Sequence, residues 1–275
     1  MNALVGERMS IITNKPQTTR HRIIGILSDE DYQIVFSDTP GIIEDPAYKM
    51  HDAMNSFVKS TFEDADIMLF VTEMQERYPE DAPIIQRLQN VKVPLFLVLN
   101  KTDLAKAEEI MEMIQWWTAR IQFTEVIPIS ALKKDNTDKL LKLIVDNIPE
   151  GPVYYPKDQL TDKPERFFVS EIIREKILML YKQEVPYSCE VLVESFKEGQ
   201  SKGGPLIRIS ALIFVARRTQ KAIIIGKNGQ AIKKLGTEAR KSIETFLERR
   251  VFLELHVKIR DNWRDDERML KQFGY

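Results

Sequence analysis

The chain has 275 residues, 43% hydrophobic and 29% charged, which is typical of soluble proteins and long enough for two ordinary cores. Its single cysteine, Cys189, excludes an internal disulfide, and the absence of a signal-peptide or transmembrane run predicts a cytoplasmic protein. The net charge of −1 divides into −8 over residues 1–150 and +7 over residues 151–275, so a polyanion such as RNA is expected to bind the second half.

Short apolar runs alternate with stretches of helical spacing in the first half of the chain. The predicted buried strands are residues 34–36, 67–71, 95–99 and 126–129, and the predicted helices are residues 50–62, 83–88, 105–117 and 137–148. This alternation is typical of an α/β fold with a doubly wound, mostly parallel sheet. Ligands of such sheets bind at the carboxyl ends of the strands. We therefore expect Asp38, Asn100 and Ser130 to lie on one rim of the sheet, because each of them follows a predicted strand.

The second half begins after a proline-bearing stretch that lacks helical or strand spacing. Residues 151–164 are predicted to link a domain of residues 1–150 to a smaller α+β domain of residues 165–275. In the second domain, the spacing predicts helices over residues 167–181 and 230–247. It also predicts strands over residues 189–196, 207–215 and 251–259, the first two flanking a turn at residues 199–205.

A polar stretch lies between Ile12 and Ile23, where a hydroxyl group could ligate magnesium. Thr19 is the candidate ligand, and a solvated loop is the alternative.

The Gly-x-x-x-x-Gly-Lys-Ser/Thr loop with which nucleotide binders of this class cradle phosphates is missing from the sequence. The chain opens at Met1, past the place of that loop. We expect a start assigned to an internal methionine, or an amino-terminal truncation, rather than a natural degenerate protein.

The segment Asp38-Thr39-Pro40-Gly41 ends a predicted strand with a carboxylate. Asp38 would hold magnesium through water, and the backbone amide at Gly41 could closely approach a terminal phosphate. The next residue, Ile42, has an apolar side chain that cannot orient a water molecule. The alternative is an ordinary turn after a strand.

The segment Asn100-Lys101-Thr102-Asp103 follows five consecutive apolar residues. A carboxylate at Asp103 can accept both N1–H and N2–H of guanine, while the Lys101 stem lies along the base and Asn100 ties neighbouring loops together. A backbone N–H at Ser130-Ala131 could meet the guanine O6. A polar turn without a ligand is the alternative, and the Asp38 motif in the correct order argues against it.

A Gly-x-x-Gly loop precedes the predicted helix of residues 230–247. Its residues are Gly226, Lys227, Asn228 and Gly229. Two glycines allow a nucleic-acid backbone to pass closely, and the helix amino terminus and nearby cations complement its charge. The cations on this helix include Lys233 and Lys234. The alternative is a tight strand-to-helix turn.

Near the carboxyl terminus, Trp263 and Arg264 could stack on or bond to unpaired RNA bases. A tryptophan in this position can equally be a packing anchor. The three histidines are scattered, so the sequence predicts no zinc site.

The ordered motifs and the Gly-x-x-Gly loop resemble the Era family, bacterial GTPases of small-subunit ribosome assembly, over nearly the whole chain. The stretches that carry the resemblance are residues 2–7, 16–22, 185–188 and 224–229. The resemblance implies a GTPase domain followed by a type II KH domain, with GTP or GDP and Mg²⁺ as cofactors. It also implies the 3′ end of 16S ribosomal RNA and the small (30S) subunit as partners, and peripheral contact with the inner face of the cell membrane.

The implied site residues are Thr19 and Asp38 for magnesium, Gly41 for the third phosphate, Asn100, Lys101, Asp103, Ser130 and Ala131 for guanine, and residues 226–229 and the region of Trp263 for RNA. Family members open with a strand and the phosphate loop, and residues 2–6 match the helix that follows that loop. We therefore expect these residues alone to be inactive or severely impaired as a GTPase.

The leading hypothesis is a ribosome-assembly GTPase. The runner-up is a nucleotide-independent RNA-binding protein whose first domain is a degenerate GTPase-like remnant. A tandem-GTPase relative is a weaker third alternative, because a second Asn-Lys-x-Asp is lacking.

Overall fold

The computed structural model describes residues 1–13, 15–201 and 203–275. They group into two units, each built from several segments of the chain. The first unit is Met1–Glu7, Gly25–Ser37 and Lys59–Leu160, and the second is Arg8–Ile24, Asp38–Val58 and Thr161–Tyr275. These units differ from the predicted domains, because two early segments group with the carboxyl-terminal residues. The domain boundaries at residues 150 and 165 stay predictions.

Helices and strands alternate in the first 150 residues, as the sequence predicts. The helices are α1 (Asn2–Val5), α2 (Lys49–Asp64), α3 (Pro83–Gln89), α4 (Ala107–Thr118) and α5 (Thr137–Asn147). The strands are β1 (Ile23–Ser28), β2 (Gln33–Asp38), β3 (Met68–Glu73), β4 (Leu95–Asn100) and β5 (Glu125–Pro128).

Strands β3, β4 and β5 form a parallel sheet with β4 at its centre. Residues 95–99 of β4 are all apolar and all buried. A strand that is apolar on both faces is typical of a parallel sheet covered on both sides. The α/β class and the parallel sheet predicted from the alternation are therefore confirmed.

Strand β1 was not predicted, because Gly25 interrupts its apolar run. The glycine has a packing reason: an added Cβ would lie 2.9 Å from Met1 Sδ and 3.1 Å from Val5 Cγ2. Helix α1 therefore packs closely over β1. Strands β1 and β2 form a two-stranded sheet, which is separate from β3–β5 in the part of the chain that the structure describes.

The second half is α+β, as predicted. Its strands are β6 (Cys189–Ser201), β7 (Gly204–Val215) and β8 (Val251–Ile259), and its helices are α6 (Glu165–Leu180), α7 (Arg218–Ile225), α8 (Gln230–Leu247) and α9 (Glu267–Phe273). Strand β7 pairs antiparallel with β6 and parallel with β8. Residues from α6, α8 and the three strands share one buried apolar core, including Ile173, Ile177, Val191, Ala211, Ile213, Leu235 and Ile243.

Helices α7 and α9 were not predicted. With eight and seven residues, they present only about two turns of spacing, which is too little for a periodic pattern to stand out. Lys202, in the predicted turn at residues 199–205, lies outside the described residues. Among the described residues, no helix has both the length and the apolar character needed to cross a lipid bilayer.

Candidate guanine-nucleotide site and candidate RNA-binding loop

The candidate base-recognition loop begins at the last residue of β4. Asn100 Oδ1 accepts hydrogen bonds from the backbone N–H of Lys101 at 2.8 Å and of Ala131 at 3.0 Å. The second bond joins the loop after β4 to the loop after β5, which is the tie that the sequence predicts for Asn100. Lys101 has a φ of 64°, in the left-handed region, so its carbonyl and side chain turn out of the strand direction. The Asn100 segment is therefore a corner fixed to a second loop.

Asp103 and Ser130 lie close together at the ends of β4 and β5, the neighbouring strand ends at which the sequence predicts Asn100 and Ser130. The Ser130 hydroxyl donates to Asp103 Oδ1 at 2.6 Å, and the same hydroxyl oxygen accepts from the Lys133 backbone N–H at 3.1 Å. Ser130 is fully buried, whereas Asp103 is exposed. The buried hydroxyl thus orients an exposed carboxylate. A carboxylate has about four acceptor positions, so Asp103 can still accept two donors from a base.

Two predicted details of the base site have competing contacts. The Lys101 ammonium forms an ion pair with Glu73, the last residue of β3, so its stem along a base stays a prediction. The Ala131 N–H donates to Asn100, so the predicted contact with guanine O6 would have to share this donor.

The Asp38 segment ends β2 and belongs to the two-stranded sheet. The Ser10 hydroxyl donates to Asp38 Oδ2 at 2.5 Å. Further on, Asn55 of α2 holds the loop by donating to the Ile43 carbonyl at 2.9 Å and accepting from the Ile43 N–H at 3.0 Å. Gly41 is exposed, with open space where a Cβ would be. The predicted meeting of Asp38 with Asn100 on one rim stays a prediction.

Two buried arginines bracket Thr19. Arg174 of α6 donates to the carbonyl of Thr18, and it forms an ion pair with Glu171 at 2.6 Å. Arg20 donates to the Cys189 carbonyl at 2.7 Å. The backbone on each side of Thr19 is therefore held by residues of α6 and of the start of β6.

The anchor of Arg20 includes a buried carboxylate that sequence reasoning missed. Glu190 Oε2 accepts from Arg20 Nη1 at 3.0 Å and from the Tyr275 hydroxyl at 2.7 Å. Burial alone would raise the pKa of Glu190, but the charges of Arg20 and Arg174 and the hydrogen bond from Tyr275 lower it below its ordinary value. The carboxylate is thus an anion at neutral pH. Its partners lie 170 and 85 residues away, so no local sequence signal could have identified it.

His21 lies in the same buried cluster. Its ring is 4.5 Å from that of Tyr275 and 5.6 Å, edge to face, from that of Phe167. Burial lowers the pKa of His21, against the raising effect of Glu171 and Glu190. The imidazole is therefore held in its neutral form.

The described residues contain no group of three or more His, Cys, Asp or Glu side chains that could hold a metal by themselves. Magnesium is commonly held by one or two carboxylates together with the phosphates of a substrate. Asp38 and Thr19 could therefore form a magnesium site only with oxygen atoms from a bound nucleotide.

The candidate RNA-binding loop joins α7 to α8. Gly226 has φ 71° and ψ 176°, Asn228 has φ 52° and Gly229 has φ 73°. A Cβ on Gly226 would lie 2.6 Å from the Ala231 Cβ, so only glycine fits there. Lys227 and Asn228 are exposed between the two glycines. The apolar run before the loop is the end of a helix, and the strand-to-helix turn considered as an alternative is wrong.

Lys233 and Lys234 are exposed on the first two turns of α8. They lie close in sequence to Lys227 and to the helix amino terminus, where anions are favoured. The loop and these cations can therefore attract a phosphate backbone.

The ring of Trp263 has no exposed face in this structure, and its predicted stacking on an RNA base stays a prediction. Its indole is fully buried, packs with Met50, Met54 and Leu270, and donates from Nε1 to the Ser188 carbonyl at 3.1 Å. Buried tryptophan usually finds such a partner for its N–H group. The alternative, a packing anchor, describes the residue correctly.

Arg264 stacks over the ring of Tyr48, with its guanidinium carbon 3.6 Å from the ring centroid. One face of the guanidinium is thereby covered. Its predicted contact with RNA stays a prediction.

Two family models match the chain. One described as a KH domain matches residues 184–264, and one described as a 50S ribosome-binding GTPase matches residues 1–101. The first covers the Gly-x-x-Gly loop. The second covers Asp38 and ends within the base-recognition loop.

Similar proteins cover the whole chain. "GTPase Era" of Syntrophus aciditrophicus is 46% identical over 276 residues, and the chain spans 89% of its length. "GTPase ERA1, chloroplastic" of Zea mays is 44% identical over 279 residues, and the chain spans 66% of that longer protein.

Two solved structures match over the whole chain, each with 37% identity and a TM-score of 0.91. One is a variant of Era from Aquifex aeolicus bound to GDP·AlF4⁻, of which 93% is covered. The other is Era in complex with MgGDPNP and nucleotides 1506–1542 of 16S ribosomal RNA, of which 92% is covered.

Proposed function

The chain belongs to the Era family of GTPases, and on that premise we propose that it is a ribosome-assembly factor that binds guanine nucleotide and small-subunit ribosomal RNA. The observation that carries the proposal is that one chain contains two loops whose conformation is fixed, one by hydrogen bonds and the other by glycines. The Asn100–Ala131 and Asp103–Ser130 hydrogen bonds shape the first, and Gly226 and Gly229 shape the second.

Base selection is proposed for the first loop. Guanine presents two adjacent donors, N1–H and N2–H, and the carboxylate of Asp103 presents two acceptors in one plane. Ser130 holds this plane, because its buried hydroxyl is bonded to Oδ1. Adenine presents an acceptor at N1 and has no amino group at position 2, so the Asp103 carboxylate gains nothing from it. Thr102, Ser130 and Ala131 would complete the walls of the site.

The phosphates of GTP or GDP fit these residues less well than the base does. Asp38, with Thr19, would hold Mg²⁺, and residues 39–42 would approach the third phosphate. The loop that cradles phosphates in such proteins is missing from the 275 residues. GTP hydrolysis is therefore proposed as the activity of the family, and not of residues 1–275 alone.

RNA binding is proposed for the second loop. Nucleotides 1506–1542 of 16S ribosomal RNA are the ligand of the similar Era structure, and we propose the 3′ end of this RNA, in the small (30S) subunit, as the partner of this chain. Exposed Lys227, Lys233 and Lys234 supply the charge, and the glycines permit close approach of the RNA backbone. Cytoplasmic location, and peripheral contact with the inner face of the membrane, stay predictions.

A nucleotide-independent RNA-binding protein is the second candidate. It would need only the Gly-x-x-Gly loop and the exposed lysines beside it, Lys227, Lys233 and Lys234, and no contact with a nucleotide.

Titration with labelled GTP and, separately, with a single-stranded RNA of the 16S 3′-end sequence tests both. Binding of both ligands, with Asp103→Ala affecting only GTP and Lys227→Ala only RNA, supports the leading proposal. RNA binding without GTP binding supports the second candidate. Failure to bind RNA contradicts both.

A further inference from the structure

Three hydrogen bonds, two of them made by Tyr181, link residues 15–21, here called the Thr19 loop, through the end of α6 to α7, the helix that precedes the RNA-binding loop. Lys15 Nζ donates to the carbonyl of Leu178 and, at 2.8 Å, to that of Tyr181. The Tyr181 hydroxyl donates to the carbonyl of Ile224 at 2.8 Å. Ile224 lies in the last turn of α7, two residues before Gly226. Tyr181 therefore touches both segments, and all these residues belong to the second unit.

Lys15 binds at a place where a cation is favoured. Leu178 is in the last turn of α6 and Tyr181 is its C-cap residue. The last carbonyls of a helix have no helical partner, and the helix dipole is negative there. One ammonium group that bonds two of these carbonyls fixes the start of the Thr19 loop on the end of α6.

The hydroxyl of Tyr181 donates to a carbonyl at the end of α7, as the Lys15 ammonium does at the end of α6. The Ile224 carbonyl lies at the end of a helix, is buried with its residue, and would cost free energy if left without a donor. Tyr181 is itself buried, and burial raises the pKa of Tyr181 to about 12. The phenol therefore remains protonated, and able to donate, at neutral pH.

We propose that Tyr181 is a positioning residue that couples order in the RNA-binding loop to order in the Thr19 loop. RNA held at residues 226–229 would steady the end of α7 and the Ile224 carbonyl. This carbonyl fixes the Tyr181 ring, whose backbone holds Lys15. Coupling between two sites is reciprocal, so restraint of the Thr19 loop would favour RNA binding to the same extent. The inference rests on the proposed function only in taking single-stranded RNA as the ligand of residues 226–229.

Hydrogen–deuterium exchange of the full chain tests the coupling, with and without a 16S 3′-end RNA oligonucleotide. In the unmodified chain, RNA is expected to slow exchange at residues 222–234 and also at residues 15–21. Tyr181→Phe removes one hydroxyl group and keeps the ring. In this variant, RNA should still protect residues 222–234 but no longer residues 15–21, and RNA affinity should fall less than about tenfold. Tyr154→Phe, at a residue that is 73% exposed, is the control and should behave like the unmodified chain.

Lys15→Met provides a second test that does not depend on the folding of Tyr181→Phe. It should also lose the RNA-dependent protection at residues 15–21. The salt dependence of RNA affinity should be unchanged, because Lys15 is bonded to α6 and contacts no phosphate in this proposal. If the slope of log affinity against log salt fell by about 0.7, Lys15 would bind RNA directly, and this result would contradict the coupling through Tyr181.

The remaining outcomes separate the coupling from the proposed function. Protection at residues 222–234 without any at residues 15–21, in the unmodified chain, overturns the coupling and leaves RNA binding intact. Absence of protection at residues 222–234 overturns the RNA-binding function and the coupling with it.

Discussion

The two oxygen atoms of Asp103 determine which base the first loop can select. Asp103→Asn replaces one acceptor with a donor, so it no longer matches the adjacent donors of guanine but matches a base with a carbonyl at position 2, such as xanthine. We expect affinity for GTP to fall about 10- to 100-fold and affinity for xanthosine triphosphate to rise. Competition against labelled GTP measures both. Asp135→Asn, at an exposed carboxylate after Ser130, is the control; an unchanged preference in Asp103→Asn would contradict base selection by Asp103.

The two glycines of the RNA-binding loop differ in what they exclude. At Gly226, φ is 71°, ψ is 176° and an added Cβ would meet Ala231 Cβ at 2.6 Å, whereas Gly229 has open space at its Cβ position. Gly226→Ala should therefore cost about 2–4 kcal/mol and displace the start of α8. Gly229→Ala should cost only about 1 kcal/mol. Denaturant unfolding compares the two variants, and equal stabilities would show that the loop can relax around Ala231.

His21 gives stability a specific dependence on pH. Burial lowers the pKa of His21 below its ordinary value of 6.5. Below pH 6.5 the unfolded chain therefore binds a proton that the folded chain refuses, and stability falls as the pH drops toward the folded pKa. The groups that face this ring are Glu171, Glu190, Arg174 and Arg20.

Urea unfolding at pH 7.5, 6.5 and 5.5 measures this dependence. His21→Phe should reduce the decline between pH 6.5 and 5.5 without abolishing it, because burial also lowers the pKa of His51. His256→Asn, at an exposed histidine, is the control. If the free energy of unfolding of His21→Phe declined as steeply as that of the unmodified chain, the pH dependence would come from groups other than His21.

At the scale of elements, Trp263 joins the turn after β8 to two helices. It packs with Met50 and Met54 of α2 and with Leu270 of α9. Trp263→Ala should cost about 3–5 kcal/mol, and Trp263→Phe less, because most of the packed volume remains. Trp116→Ala, at a tryptophan that is only partly buried, should cost less than Trp263→Ala.

RNA affinity distinguishes the packing role of Trp263 from base stacking. Because the indole is buried, Trp263→Phe should change the dissociation constant less than about threefold. A stacked base lost with the indole would instead cost about 1–3 kcal/mol. Such a loss, in a variant of unchanged stability, would restore the stacking hypothesis.

Elements with several turns or a continuous apolar run could be predicted from the sequence, and short or interrupted ones could not. The eighteen residues of α8 and the nine of β8 were predicted with their observed ends. Helix α7 was missed because its eight residues give only about two turns of helical spacing. Strand β1 was missed because the packing of Met1 on Gly25 is not visible in a local pattern.

The same distinction applies to the site. Asn100 and Ser130 were predicted on one rim, and the contacts of Asn100 with Ala131 and of Asp103 with Ser130 follow from two neighbouring parallel strands. The contacts of Arg20 with Glu190 and of Lys15 with Tyr181 join residues more than 160 positions apart. Only the folded chain reveals them. Trp263 shows the converse, because residue type suggested a ligand where burial shows a packing anchor.

For the whole molecule, the uneven charge assigns RNA to one half. Residues 1–150 carry −8 and residues 151–275 carry +7, so the first half repels a phosphate backbone while the second attracts it. Each phosphate that a lysine neutralises releases counterions, which makes affinity fall with salt by about 0.7 logarithmic units per contact for a single strand. Salt dependence therefore counts the lysines that touch RNA.

Single substitutions can locate these contacts. Lys227→Ala, Lys233→Ala and Lys234→Ala should each lower the slope of log affinity against log salt, between 50 and 200 mM, by about 0.7. Lys157→Ala is the matched control, because Lys157 is exposed and lies in the first unit, and its slope should equal that of the unmodified chain. Anisotropy of a labelled single-stranded RNA supplies the affinities. If Lys157→Ala lowered the slope while Lys227→Ala did not, RNA would contact the first unit and not the Gly-x-x-Gly loop, because the ion release that sets the slope occurs only where a cation meets a phosphate.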